Sequence, residues 1–146
     1  MDREVSQSEE MNERTFVMLK PDAVRRGLAE RILQRLEDAS LRMVTKQQLV
    51  VNKAQSGALY AEHVGKQFYD SLLTYVHSGP VIVTVWEGSG AVALVRKLIG
   101  ATNPADAAPG TIRGDFGLAI DENVVHGSDS VQSAEREIPI FFPGLD

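Results

Sequence analysis

Hydrophobic and polar positions alternate between two periods along this chain. Thr15-Phe16-Val17-Met18-Leu19 is a short apolar run between Arg14 and Lys20, ending at Pro21-Asp22. Such a run predicts a buried strand that stops at proline. From Asp22 to Ser40, Leu28, Ile32, Leu33 and Leu36 recur at helical spacing with charges between them, which predicts an amphipathic helix. Leu41 to Val51 reads as a second strand. Ala54 to Val76 has helical spacing in two pieces, broken near Gly65. Pro80 to Trp86 is the clearest strand, and Ala91 to Ile99 is a helix closed by Gly100. From Ala101 to about Glu122 the pattern disappears among Pro104, Pro109, Gly110, Gly114 and Gly117. A loop of about 20 residues inside a small domain is either functional or a linker, and too few residues follow it to build a second domain. A strand at Val124–His126 and a helix from Ser130 come next, with Asp129 and Gln132 at capping-box spacing. Phe141-Phe142-Pro143 closes the pattern.

This order of elements predicts an α/β fold, a two-layer sandwich of the ferredoxin-like βαββαβ type. Its sheet has four antiparallel strands, and the long loop precedes the last of them. The predicted organisation is one domain over residues 14–146 after an N-terminal extension, residues 1–13.

Charge supports that division. The net charge is −5, yet residues 1–13 carry five acids and one base, so the rest of the chain is close to neutral. With few core-forming residues, the leader reads as a disordered extension, and Met11 is an alternative start. A near-neutral body with 6% aromatic residues argues against a nucleic-acid surface, including a ferredoxin-like RNA binder. The absence of cysteine excludes disulfides and thiolate metal sites and fits the cytoplasm. No apolar run is long enough to span a membrane, and the N-terminus lacks the layout of a secretory signal.

Candidate chemistry centres on Asn123-Val124-Val125-His126-Gly127-Ser128-Asp129. A histidine on a short apolar strand before a turn can be held with one ring nitrogen exposed, and neutral imidazole is a nucleophile. Glu137 lies three residues after Ala134, on the helix side expected to pack inward, and an inward glutamate needs a partner such as His126. A partly exposed glutamate within Glu135-Arg136-Glu137 is the alternative. Lys20 at a strand end, Arg96 on a helix and Arg113 beside Gly114 in the long loop are the cations placed to meet an anion. Lys20 equally fits a strand end meeting water, and Arg96 a solvated helix position. Phe68 and Leu72 share a helix face, suited either to a core or to covering a base. The glycine signatures Gly-x4-Gly-Lys-Ser/Thr and Gly-x-Gly-x-x-Gly are absent, so any nucleotide must be held by side chains. His63 and His77 show no zinc spacing, so no metal-binding cluster is expected; His77 reads as a turn residue.

Several ordered strings carry a closer resemblance: Arg14-Thr15-Phe16, Lys20-Pro21-Asp22, Arg26-Gly27-Leu28, Ser78-Gly79-Pro80-Val81, Trp86-Glu87-Gly88, Gly100-Ala101-Thr102-Asn103-Pro104, Pro109-Gly110-Thr111-Ile112-Arg113-Gly114-Asp115-Phe116 and His126-Gly127-Ser128-Asp129-Ser130. From Arg14 to Phe142 the chain resembles the nucleoside diphosphate kinase family. The resemblance implies ping-pong transfer of the γ-phosphoryl of a nucleoside triphosphate to a nucleoside diphosphate, with His126 as the phosphorylated nucleophile and Glu137 orienting its ring. It implies Lys20, Arg113 and Tyr60 around the transferred phosphoryl, and Arg96 and Thr102 on the β-phosphate. Asn123 with Lys20 would contact the ribose 3′-hydroxyl, Phe68 would stack on the base, and Leu72 and Ile120 would flank it. Mg2+ is implied on the nucleotide phosphates with few protein ligands. A homo-oligomer is implied, a hexamer ahead of a tetramer, because the loop around Pro104 resembles the family's subunit-contacting loop. Ala23, Leu59, Gln67 and Ile120 depart from the usual Gly, His, Pro and Val. A regulatory or binding module on the same fold is the alternative; such relatives typically lose the histidine or its phosphate cations, all of which stand here.

Overall fold

The computed structural model describes residues 12–120 and 122–146. Nearly all of the predicted N-terminal extension, with Met11, lies outside the described residues. Strand β1 (Asn12–Leu19) is followed by helices α1 (Pro21–Arg25) and α2 (Ala29–Asp38), strand β2 (Arg42–Leu49), and helices α3 (Lys53–Leu59) and α4 (Tyr69–Val76). Strand β3 (Val81–Ser89), helix α5 (Ala91–Ile99), helix α6 (Ile112–Phe116), strand β4 (Val125–Gly127) and helix α7 (Val131–Phe141) complete the order. The sheet runs β2-β3-β1-β4 with every neighbouring pair antiparallel. This is the expected α/β arrangement with the ferredoxin-like strand order.

β1 is central, and alternation sends its side chains to both faces. Val17 and Leu19 join Ile32, Leu36, Trp86, Val95 and Ile99 in a core under α2 and α5. Phe16 and Met18 join Leu59, Val76, Val83 and Phe141 in a second core under α3, α4 and α7. The continuous apolar run of β1 follows from this double burial.

Three local expectations need correction. The helix expected over Asp22–Ser40 is split, because Gly27 adopts φ +70° between α1 and α2, a conformation open to glycine at little cost. The segment after Ala101 is not structureless. It holds a 3-10 turn at Pro104–Asp106 and helix α6, whose first turn is capped by the Thr111 side chain accepting from Gly114 N. The cap of α7 is Ser130, which accepts from Ser133 N, and not the Asp129–Gln132 box. His77 caps the C-terminal end of α4, with Nε2 2.9 Å from Ser56 Oγ and Nδ1 2.7 Å from Val51 O, tying α4 to α3.

Ile32 is fully buried where α2 meets the sheet, away from the chemistry described below. Ile32→Ala is expected to lower unfolding free energy by about 2–5 kcal/mol, read as a lower urea midpoint. An unchanged midpoint would show that this face does not hold the fold together.

Candidate active site

β4 carries His126 next to the central strand, paired with Met18. Period two puts His126 and Ser128 on one side of the chain, and both reach Glu137 of α7. His126 Nε2 lies 2.9 Å from Glu137 Oε1, and Ser128 Oγ donates to the same oxygen at 2.8 Å. Glu137 is 3% exposed. Burial alone would raise its pKa, but the hydrogen bond and charge of His126, the hydrogen bond from Ser128 and the charge of Arg136 hold it below the ordinary 4.5. Glu137 is therefore a carboxylate and accepts only, so in the neutral form of the ring Nε2 carries the proton and Nδ1 keeps the lone pair. Among the described residues Nδ1 makes no hydrogen bond. Phe16 (ring centroids 5.9 Å apart) and Tyr60 (6.5 Å, edge-on) wall the imidazole.

The cations gather around this ring from three elements. Arg113, on α6, is 4% exposed, with Nη2 donating to Val125 O at 2.7 Å and Nη1 to Gly100 O at 3.4 Å. Its Nε is buried without a partner among the described residues. Burial, with the nearby charge of Arg96 and against that of Asp129, pushes its pKa down to about 10, so it stays charged at neutral pH. A buried guanidinium bonded only to carbonyls is suited to an incoming anion. Arg96, on α5, reaches Asp129 Oδ1 at 3.3 Å and Gly127 O at 3.4 Å. Lys20, at the end of β1, donates to Asn123 Oδ1 at 2.9 Å, and Asn123 Nδ2 donates to Thr102 O at 3.0 Å. Tyr60 Oη is buried without a partner among the described residues. Burial, then the charge of Glu137, raises its pKa, so it remains a hydroxyl donor.

All eleven residues named from the sequence, Lys20, Tyr60, Phe68, Leu72, Arg96, Thr102, Arg113, Ile120, Asn123, His126 and Glu137, line one cavity of about 340 Å³. Phe68 is 49% exposed and Ile120 60%, so neither is a core residue. Leu72, one turn into α4 from Phe68, is part-buried against the second core. Sequence reasoning missed Ser128, Arg136, Asp129 and His63 as parts of the site. Ser128 was detectable from its two-residue offset to His126. His63, packed against Phe68 at 5.4 Å, carried no periodic signal. A Cβ at Gly127 would lie 2.6 Å from Ile99 Cδ1, so that side-chain end would have to shift to admit any larger residue.

Fixed cations, a carboxylate-oriented imidazole and the exposed Phe68 and Ile120 share one pocket, whose positive groups suit a phosphorylated ligand. The nucleoside diphosphate kinase family model matches residues 13–146. A nucleoside diphosphate kinase of Archaeoglobus fulgidus is 55% identical over 130 residues, 89% of this chain and 86% of that one. One from Desulfitobacterium hafniense is 53% identical over 130 residues, 89% and 87% of the two chains. The structure of a halophilic nucleoside diphosphate kinase from Halobacterium salinarum in complex with CDP is 47% identical, with a TM-score of 0.89 and 92% of each chain covered. The apo enzyme of Encephalitozoon cuniculi gives a TM-score of 0.88 at 41% identity, covering 89% of this chain and 88% of that one. The chain belongs to the nucleoside diphosphate kinase family, and it is a phosphotransferase acting on nucleotides.

The depressed pKa of Glu137 fixes the sign of a pH effect. The stability drawn from its ionised form is present above the ordinary 4.5 and is lost as pH falls through the lower folded value. The difference in melting temperature between the parent and Glu137→Gln is therefore expected to narrow on acidification. A gap that stays constant down to acid unfolding would contradict an ionised Glu137.

Proposed function

We propose that this chain carries phosphoryl groups between nucleotides on Nδ1 of His126, in a ping-pong cycle. In the first half, a P–N bond forms at Nδ1 as the bond from the γ-phosphorus to the β,γ-bridging oxygen breaks, and the nucleoside diphosphate leaves with that oxygen. In the second half, a terminal oxygen of another nucleoside diphosphate attacks the phosphorus and the P–N bond breaks. Glu137 accepts the Nε2–H bond throughout and offsets the positive charge that the ring gains on phosphorylation.

Phosphoryl transfer depends mainly on positioning and charge stabilisation, and the named residues divide that work. Arg113, Lys20 and the Tyr60 hydroxyl receive the transferred group; the unpartnered Arg113 Nε and Tyr60 Oη are buried donors suited to phosphate oxygens. Arg96 and Thr102 hold the β-phosphate, and Lys20 with Asn123 the ribose 3′-hydroxyl. Phe68 stacks on the base between Leu72 and Ile120, and a π-face common to every base predicts broad base tolerance.

Mg2+ would be held by the phosphates of the nucleotide, where it would neutralise part of their charge. That fits the donor set, because among the described residues no group of three His, Cys, Asp or Glu could hold an ion. A working homo-oligomer, a hexamer ahead of a tetramer, and a cytoplasmic location complete the proposal. No described helix is long and apolar enough to cross a membrane.

The His126–Glu137 bond carries this reading, since it leaves a single ring nitrogen for chemistry. With γ-labelled ATP the protein is expected to gain acid-labile, base-stable label and pass it to any nucleoside diphosphate. His126→Ala abolishes labelling, and Glu137→Gln slows it by about tenfold or more. Full exchange activity in His126→Ala would overturn the assignment. A chain that binds nucleotide but takes no label would be a binding module on this fold.

A further inference from the structure

Val124 has φ +66°, a left-handed conformation that a β-branched residue adopts only under constraint, and it is fully buried. Val125 N donates to Asn123 O at 2.8 Å across it. An i to i+2 bond around a positive φ is the rarer, strained form of the γ-turn. The turn sits between Asn123, bonded to Lys20 and Thr102, and Val125, whose carbonyl receives Arg113 and whose neighbour is His126. Its direction therefore sets where the imidazole stands relative to the cations.

Both polar backbone groups of Val124 are held from the segment that follows β1. Lys20 N donates to Val124 O at 2.9 Å, and Val124 N donates to Asp22 Oδ2 at 3.2 Å. Asp22 is 2% exposed. It is itself anchored: Asp22 N donates to Tyr75 Oη of α4 at 3.1 Å. Nothing in the transfer chemistry requires a carboxylate here, and Asp22 is not among the residues that line the cavity.

We propose that Asp22 is a positioning residue for phosphoryl transfer, holding the strained turn at Val124 so that His126 and Asn123 face the same phosphates. The inference rests on His126 being the phosphoryl acceptor. It separates stability from rate. Glycine accepts a positive φ freely, whereas alanine keeps the Cβ that resists it, and both lose the same packing apart from one methyl group.

The test is the single-turnover rate of His126 phosphorylation by Mg-ATP, read beside melting temperature. Val124→Gly is expected to melt about 2–4 °C above Val124→Ala yet to phosphorylate more slowly, because relief of the strain frees the turn. Asp22→Ala is expected to slow phosphorylation by about tenfold to a hundredfold. Asp22→Asn, which retains an oxygen for Val124 N, is expected to recover most of the rate. In the double variant Asp22→Ala/Val124→Gly the losses are expected not to multiply, since both act through one turn. Multiplying losses, or a Val124→Gly variant as fast as Val124→Ala, would overturn the role of Asp22. Absence of His126 labelling in the parent chain would instead remove the reading beneath it.

Discussion

The part-buried hydrogen bond between His126 Nε2 and Glu137 Oε1, 2.9 Å long, is the constraint on which the site depends. It fixes the tautomer, turns the ring, and sets a negative charge behind the imidazole. Burial makes it effective, because little solvent competes for Glu137. Burial would also make a lone carboxylate costly, and Ser128 and Arg136 offset that cost by bonding or facing the same group. The second core, built on Phe16 and Phe141 stacked at 5.1 Å, packs the imidazole from below.

The fold brings distant segments to this bond. Strand order puts β4 beside β1, so the end of β1 delivers Lys20 to Asn123 across 103 residues of sequence. Helix α5 delivers Arg96, and α6 delivers Arg113. The short α6 is braced from α2: Arg35 pairs with Asp115 at 2.7 Å and lies over the Phe116 ring at 4.6 Å. The strained turn at Val124 joins Lys20, Asn123 and Arg113 to the backbone of the strand that carries His126.

Much of this was legible in the sequence where local physics decides the outcome. The apolar runs of β1 and β3 and the amphipathic spacing of α5 set their elements directly, and Ala91–Ile99 has the expected bounds. The break at Gly27 was not legible, because a glycine in a helical pattern shows its φ only once both flanking helices dock. Helix α6 was hidden among glycines and prolines; its five residues are helical through a side-chain cap and tertiary bonds, not through propensity. Helix periodicity allowed Glu137 either to face His126 or to stay partly exposed, and its burial against the ring in the folded chain decides between them. The meeting of Phe68, Thr102, Asn123 and Arg96 was not legible, since no local period relates them, and family resemblance supplied the roles that spacing left open. Asp22 was visible only as part of a motif. Its acceptor role needs the positive φ of Val124, a property of the folded backbone alone.

The most direct test of the central bond is which nitrogen carries phosphorus. NMR of the phosphoenzyme with 15N-labelled imidazole distinguishes the two through one-bond 31P–15N coupling. Coupling to Nδ1, with a protonated Nε2 still bonded to Glu137, is the predicted result. Coupling to Nε2 would mean that the Glu137 bond breaks before transfer, contradicting its role as the fixed constraint of the site.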